Sequence, residues 1–172
     1  MSAFRDFLER CESEAEREFA FGLHEWCESR GGKVGCARRG SGTLILVDDP
    51  HPSGLLPNSY DIAAQAKIGR YRLDFHIWPW LSGGQRWTFA VEIDGHAWHE
   101  RSHQEAAAQR RRDRWCATRE IFTIRFAAIE VFNDRLAVAT ELFEMIEAID
   151  ESETEHIRTM LPMEELARVS DA

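Results

Sequence analysis

Two runs of strict two-residue alternation sit close together in the middle of this chain, and they constrain its fold more than any other feature. In residues 71–78, YRLDFHIW, Tyr71, Leu73, Phe75 and Ile77 fall on one side. Arg72, Asp74, His76 and Trp78 fall on the other. In residues 87–94, WTFAVEID, Trp87, Phe89, Val91 and Ile93 alternate with Thr88, Ala90, Glu92 and Asp94. A period of two is the signature of a half-buried β-strand. The turn residues Ser82-Gly83-Gly84 lie between the runs, so the pattern predicts a hairpin.

Other elements follow from the same reasoning. Phe4, Phe7, Leu8, Cys11, Ala15, Phe19, Leu23 and Trp26 recur at helical spacing and predict a helix over 3–28. Residues 30–42 are rich in Gly and Arg and read as a loop; 42–48 read as a short strand. Residues 60–68 read as a strand ending at Gly69. Beyond the hairpin come a basic helix at 104–119, a strand at 121–126 and an amphipathic helix at 133–149. Helix, strands, helix, strand, helix implies one α/β domain over 1–150, a mixed central sheet flanked by helices. Residues 151–172 are expected to be an acidic tail carrying a short helix near 163–169.

The acids in the alternating runs carry the chemistry. Aspartate is depleted from strands because its side chain bonds to nearby backbone in turns. Yet Asp74 lies inside one run, and Glu92 and Asp94 share a side of the other. If the strands pair, three carboxylates come within a few ångströms. Such a cluster repels itself unless protonated or bound to a cation. Oxygen ligands favour magnesium, with manganese as a substitute, and the Ile93 carbonyl is a further donor.

The segment from Gln65 through Asp74 to Glu92-Ile93-Asp94-Gly95 and His99 resembles the PD-(D/E)XK nuclease superfamily. Within it, the chain is similar to the small branch of very-short-patch-repair endonucleases, over roughly residues 10–147. The resemblance implies a restriction-endonuclease-like sandwich and metal-dependent cleavage of DNA. It implies that Asp74 and Glu92 bind the metal, and that Asp94 stands where many members have a catalytic lysine. His99 corresponds to a histidine near the scissile phosphate, Glu16 to a glutamate approaching the same centre, and Gln65 to a strand glutamine beside it. The general base is either Asp94 or His99. Asp113 keeps the family's place, whereas Gln109 departs from its more frequent aspartate. A nuclease-fold module that binds nucleic acid or protein without cutting, and a nuclease acting on RNA, are the alternatives.

The net charge of −9 by itself opposes a nucleic-acid partner, but its distribution does not. Residues 141–172 hold ten acids and two bases, whereas 61–126 hold eleven bases and eight acids. Lys67, Arg70, Arg72, Arg110, Arg112 and Arg114 are therefore expected to contact phosphates. The acidic tail would cover that face or dock a partner protein. Trp98, beside His99, is the candidate stacking platform; the other tryptophans of 78–115 read as core.

His96, His99, His103 and Cys116 match a structural zinc set only in part, and no zinc is expected. Cys11, Cys27, Cys36 and Cys116 form no CxxC pair and read as free thiols. No apolar run approaches the ~18–20 residues needed to cross a bilayer. MSAFRDFLER lacks the apolar stretch of a signal peptide, so the expected location is the cytoplasm.

Overall fold

Strand pairing organises the molecule. The computed structural model describes residues 2–32, 34, 43–47, 59–81, 87–95 and 103–160. Helices α1 (Ser2–Arg10) and α2 (Glu14–Ser29) precede strands β1 (Thr43–Leu46), β2 (Ser59–Ile68), β3 (Tyr71–Trp80) and β4 (Thr88–Asp94). Helix α3 (His103–Ala117), strand β5 (Ile121–Ala127), helix α4 (Ala128–Asn133) and helix α5 (Arg135–Met160) follow. The five strands form one open mixed sheet in chain order. β1 runs parallel to β2 and β4 parallel to β5, while β2–β3 and β3–β4 are antiparallel. This is an α/β single domain with helices flanking the sheet.

The predicted hairpin forms, with Phe75, His76 and Ile77 opposite Val91, Ala90 and Phe89. Its turn at 82–84 lies outside the described residues. β2 and β3 form a second hairpin through a two-residue turn in which Gly69 takes φ +58°. A Cβ there would also stand 2.8 Å from the Trp115 ring, so only glycine suits the position.

One face of the sheet carries the main core. Phe75, Ile77, Phe89, Val91 and Ile93 meet Phe19 and Leu23 of α2 and Leu142, Phe143 and Ile146 of α5. Trp26 stacks on Phe143 at 3.6 Å between ring centroids. α2 and α5 approach closely because Gly22 has no side chain; a Cβ would lie 2.3 Å from the Arg135 carbonyl oxygen. α3 covers the other face with a smaller cluster, Leu73, Ala90, Cys116 and Ile121.

Three expectations need correction. The helix predicted over 3–28 is two helices. Ser13 caps α2: its hydroxyl accepts from the Glu16 N–H at 3.1 Å and donates to the Glu16 carboxylate at 2.9 Å. The apolar period continues across the break, so periodicity alone conceals it. The signal that shows it is Ser13-x-x-Glu16, a capping-box spacing.

Leu73 does not share the side of Phe75 and Ile77; it packs with Ala90 and Cys116 under α3. On β2 the same inversion puts Ala66 with Ala63, away from Ile62 and Ala64. The cause is Gln65, whose φ of +52° interrupts the pleat; its rung opposite Asp74 is missing from the ladder.

The final helix, expected over 133–149, starts two residues later, ends later and is preceded by a separate short helix. α4 begins at Ala128, and α5 runs to Met160, through the first ten residues of the expected tail. Residues 161–172, including the expected helix at 163–169, lie outside the described residues. Among the described residues no helix is long and apolar enough to cross a membrane.

A candidate acidic active site

The interrupted pleat and the end of β4 bring the acids into one neighbourhood. β3 and β4 stop pairing beyond Phe75 and Val91. There the Ile93 N–H donates to Asp74 Oδ2 at 2.8 Å, so a side chain takes over from the backbone ladder. Asp74 is half-buried, and burial pushes its carboxyl above the usual range; the Ile93 N–H opposes the rise, while the Glu16 charge adds to it.

Glu92 projects from β4 toward α3 and is only 5% exposed. Burial, then the neighbouring Asp74 charge, pushes its carboxyl up to about 7, against the pull of Arg112. Arg112 of α3 donates to Glu92 Oε2 at 2.7 Å. The other oxygen, Oε1, is buried without a hydrogen-bond partner. Arg125 lies opposite Glu92 in the β4–β5 ladder and is bound to Asp113 of α3. Asp94, half-buried, ends the same side of β4.

Glu16 and Gln65 border this group from the other direction. Gln65 Nε2 donates to Glu16 Oε2 at 2.7 Å, and the Glu12 N–H donates to the same oxygen at 2.9 Å. Gln65 Oε1 is buried without a partner. The Glu16 carboxylate is thus anchored by the helix cap and by the distorted strand together.

The expected cluster of three carboxylates is altered by these partners. Among the described residues no three His, Cys, Asp or Glu side chains are arranged to hold a metal ion. Arg112 has engaged Glu92, and the β4 backbone has engaged Asp74. The donors still fit magnesium by type. That ion is commonly held by one or two carboxylates and completes its shell with water and phosphate oxygens. The buried, unpartnered Glu92 Oε1 is one such donor; Asp74 and the Ile93 carbonyl are the others the sequence singles out.

Of the expected phosphate contacts, Lys67, Arg70, Arg110 and Arg114 are exposed. Arg72 is exposed but paired with Glu12 at 2.7 Å. Arg112 is turned inward to Glu92. It lies four residues before the buried Cys116, hence on the same helix face. Arg125 carries no local sequence signal, because its place beside Glu92 depends on strand register.

His96, Trp98 and His99 lie outside the described residues. His103 and Cys116 stand at opposite ends of α3, about 20 Å apart along the axis, too far to share an ion. Cys36 is also outside the described residues; among the described residues Cys11, Cys27 and Cys116 are buried and in no disulfide. Set against protein-family models, curated proteins and solved structures, the chain matches none.

Proposed function

We propose that this chain is a metal-dependent endonuclease that hydrolyses phosphodiester bonds in DNA on a PD-(D/E)XK, restriction-endonuclease-like fold. One observation carries the reading. Glu92 is buried beside Asp74 with one carboxylate oxygen unpartnered, beneath a helix rich in arginine. A buried carboxylate beside a half-buried one is costly to the fold, and such arrangements cluster where chemistry is done.

Magnesium held by Asp74, Glu92 and the Ile93 carbonyl would supply Lewis acidity toward a phosphate oxygen and acidify a water. Lys67, Arg70, Arg110 and Arg114 would hold the flanking phosphates. Asp94 or His99 would orient the attacking water and take its proton. Glu16 and Gln65 would brace the strand that carries Asp74.

The test is plasmid cleavage with magnesium, manganese or EDTA, comparing the parent with Asp74→Asn and Glu92→Gln. The parent should cut with either metal and not in EDTA. Each variant should lose about a thousandfold or more, a loss on the scale of removing a central electrostatic contact. Equal cleavage by parent and variants would remove the assignment. A second reading, a nucleic-acid-binding module without cleavage, is favoured by the Arg112–Glu92 pair and by the absence of a three-acid group among the described residues. DNA retention by a parent that never cuts would select it.

A further inference from the structure

The geometry points to Arg112 as a resident counter-cation of the acid pair, competing with a divalent metal ion for Glu92. The inference rests on the reading above that Asp74 and Glu92 hold such an ion. Arg112 is set apart from its neighbours on α3. Arg110, Arg111 and Arg114 are exposed and form no ion pair among the described residues. Arg112 instead lies under the helix, with its side chain 18% exposed against 7% for Glu92.

The other nearby cation is engaged elsewhere. Arg125 faces Glu92 across the ladder, yet its guanidinium is bound to Asp113. Arg125 acts on Glu92 only through its charge, and the direct contact to the carboxylate comes from Arg112. Taking a carboxylate and a guanidinium out of water is costly, and only a close hydrogen-bonded contact offsets it. The 2.7 Å contact uses Glu92 Oε2 alone and leaves Oε1 bare.

A divalent ion at this carboxylate would lie within a few ångströms of the guanidinium, where like charges repel strongly in a partly buried setting. Ion and guanidinium thus weaken one another's hold on Glu92. Arg112 acts as a positioning residue: it keeps the acid pair tolerable to the fold until the ion takes Glu92. The freed guanidinium then lies beside the same centre, with donors matched to a phosphate.

The test uses the full chain without DNA. Thermal melting and titration calorimetry with Mn²⁺ and Mg²⁺ compare the parent with Arg112→Gln, Arg112→Lys and Glu92→Gln. In EDTA, Arg112→Gln should melt about 5–10 °C below the parent, because Glu92 is left buried and unpaired. Mn²⁺ should bind Arg112→Gln about tenfold more tightly than the parent and recover much of the lost melting temperature. Glu92→Gln should remove the Mn²⁺ response.

A purely structural role would lower melting equally with and without the ion. Equal Mn²⁺ affinity in parent and Arg112→Gln would overturn the competition while leaving the metal site standing. Should Arg112→Gln fail to fold in every condition, Arg112→Lys decides in the same way with a smaller tightening. A parent that binds neither ion overturns the metal reading itself, and this inference with it.

Discussion

On the α2/α5 face of the sheet, Phe19, Phe75, Phe89, Phe126 and Phe143 are joined by Trp26 in one continuous apolar core. On the α3 face, four small or medium side chains cluster next to Glu92, Arg112, Arg125, Asp113 and His76. The same strands supply both faces, residue by alternate residue. The first face repays burial with apolar area, which scales with the surface removed from water. The second buries charge and ring nitrogen, which favours the fold only where partners are complete. Glu92 Oε1 and His76 Nδ1 lack hydrogen-bond partners. Apolar burial is therefore concentrated on one face, and buried charge and imidazole, Glu92 and His76, lie on the other.

The largest effect expected from this contrast is on the apolar face. Phe143 is fully buried, stacked on Trp26 and 4.6 Å from the Tyr60 ring. Phe143→Ala should cost about 3–5 kcal/mol in urea unfolding. Cys116→Ala, in the small cluster under α3, should cost only about 1 kcal/mol. Equal losses would mean that the two faces share the load.

A second, smaller effect separates the faces by pH. Burial depresses the His76 ring from 6.5 to about 3. The unfolded chain then binds a proton that the folded chain refuses. Stability from this source is complete above 6.5 and is lost progressively as pH falls toward 3, at up to ~1.4 kcal/mol per pH unit. Glu92 has the opposite sign. Its carboxyl is raised from 4.5 to about 7, so its contribution is present below 4.5 and is lost as pH rises through 7. Unfolding free energies at pH 4.5, 5.5, 6.5 and 7.5 should show His76→Phe flattening the acid limb and Glu92→Gln flattening the neutral limb. Tyr60, buried on the other face and donating to Glu147, should leave this range unchanged when replaced by Phe. If His76→Phe leaves the acid limb untouched, the ring is not buried neutral.

The two faces also differ in how far the sequence discloses them. The apolar face is legible because β4 alternates without a fault and the α2 stripe keeps its period. The α3 face is less so. That Glu92 and Asp94 share a side follows from alternation, but the partner of Glu92 comes from a helix twenty residues away in sequence. Among arginines 110, 111, 112 and 114, only packing against the sheet distinguishes the one that turns inward. β2 shows no alternation because it is buried on both sides, as a strand inside a sheet can be. Alternation puts Leu73 on the side of Phe75 only because it assumes an unbroken pleat. Nothing in the residue type of Gln65 announces a left-handed backbone.

That backbone gives the smallest effect and the sharpest test of the division between faces. A non-glycine residue at φ +52° carries a cost of roughly 1–2 kcal/mol. Gln65 offsets it in part by donating to the buried Glu16 carboxylate. Gln65→Ala loses that bond and keeps the strain. Gln65→Gly loses the same bond but relieves the strain, at the expense of a more flexible unfolded chain. The glycine variant should therefore be the more stable of the two by about 0.5–1 kcal/mol, reversing the usual preference for alanine inside a strand. Urea midpoints of the two variants decide it. If alanine is equal or better, the pleat is not inverted at Gln65, and Leu73 belongs with Phe75 after all. Asp74 would then lose the local distortion that turns it toward the β4 backbone, and the acid pair would have to be explained without it.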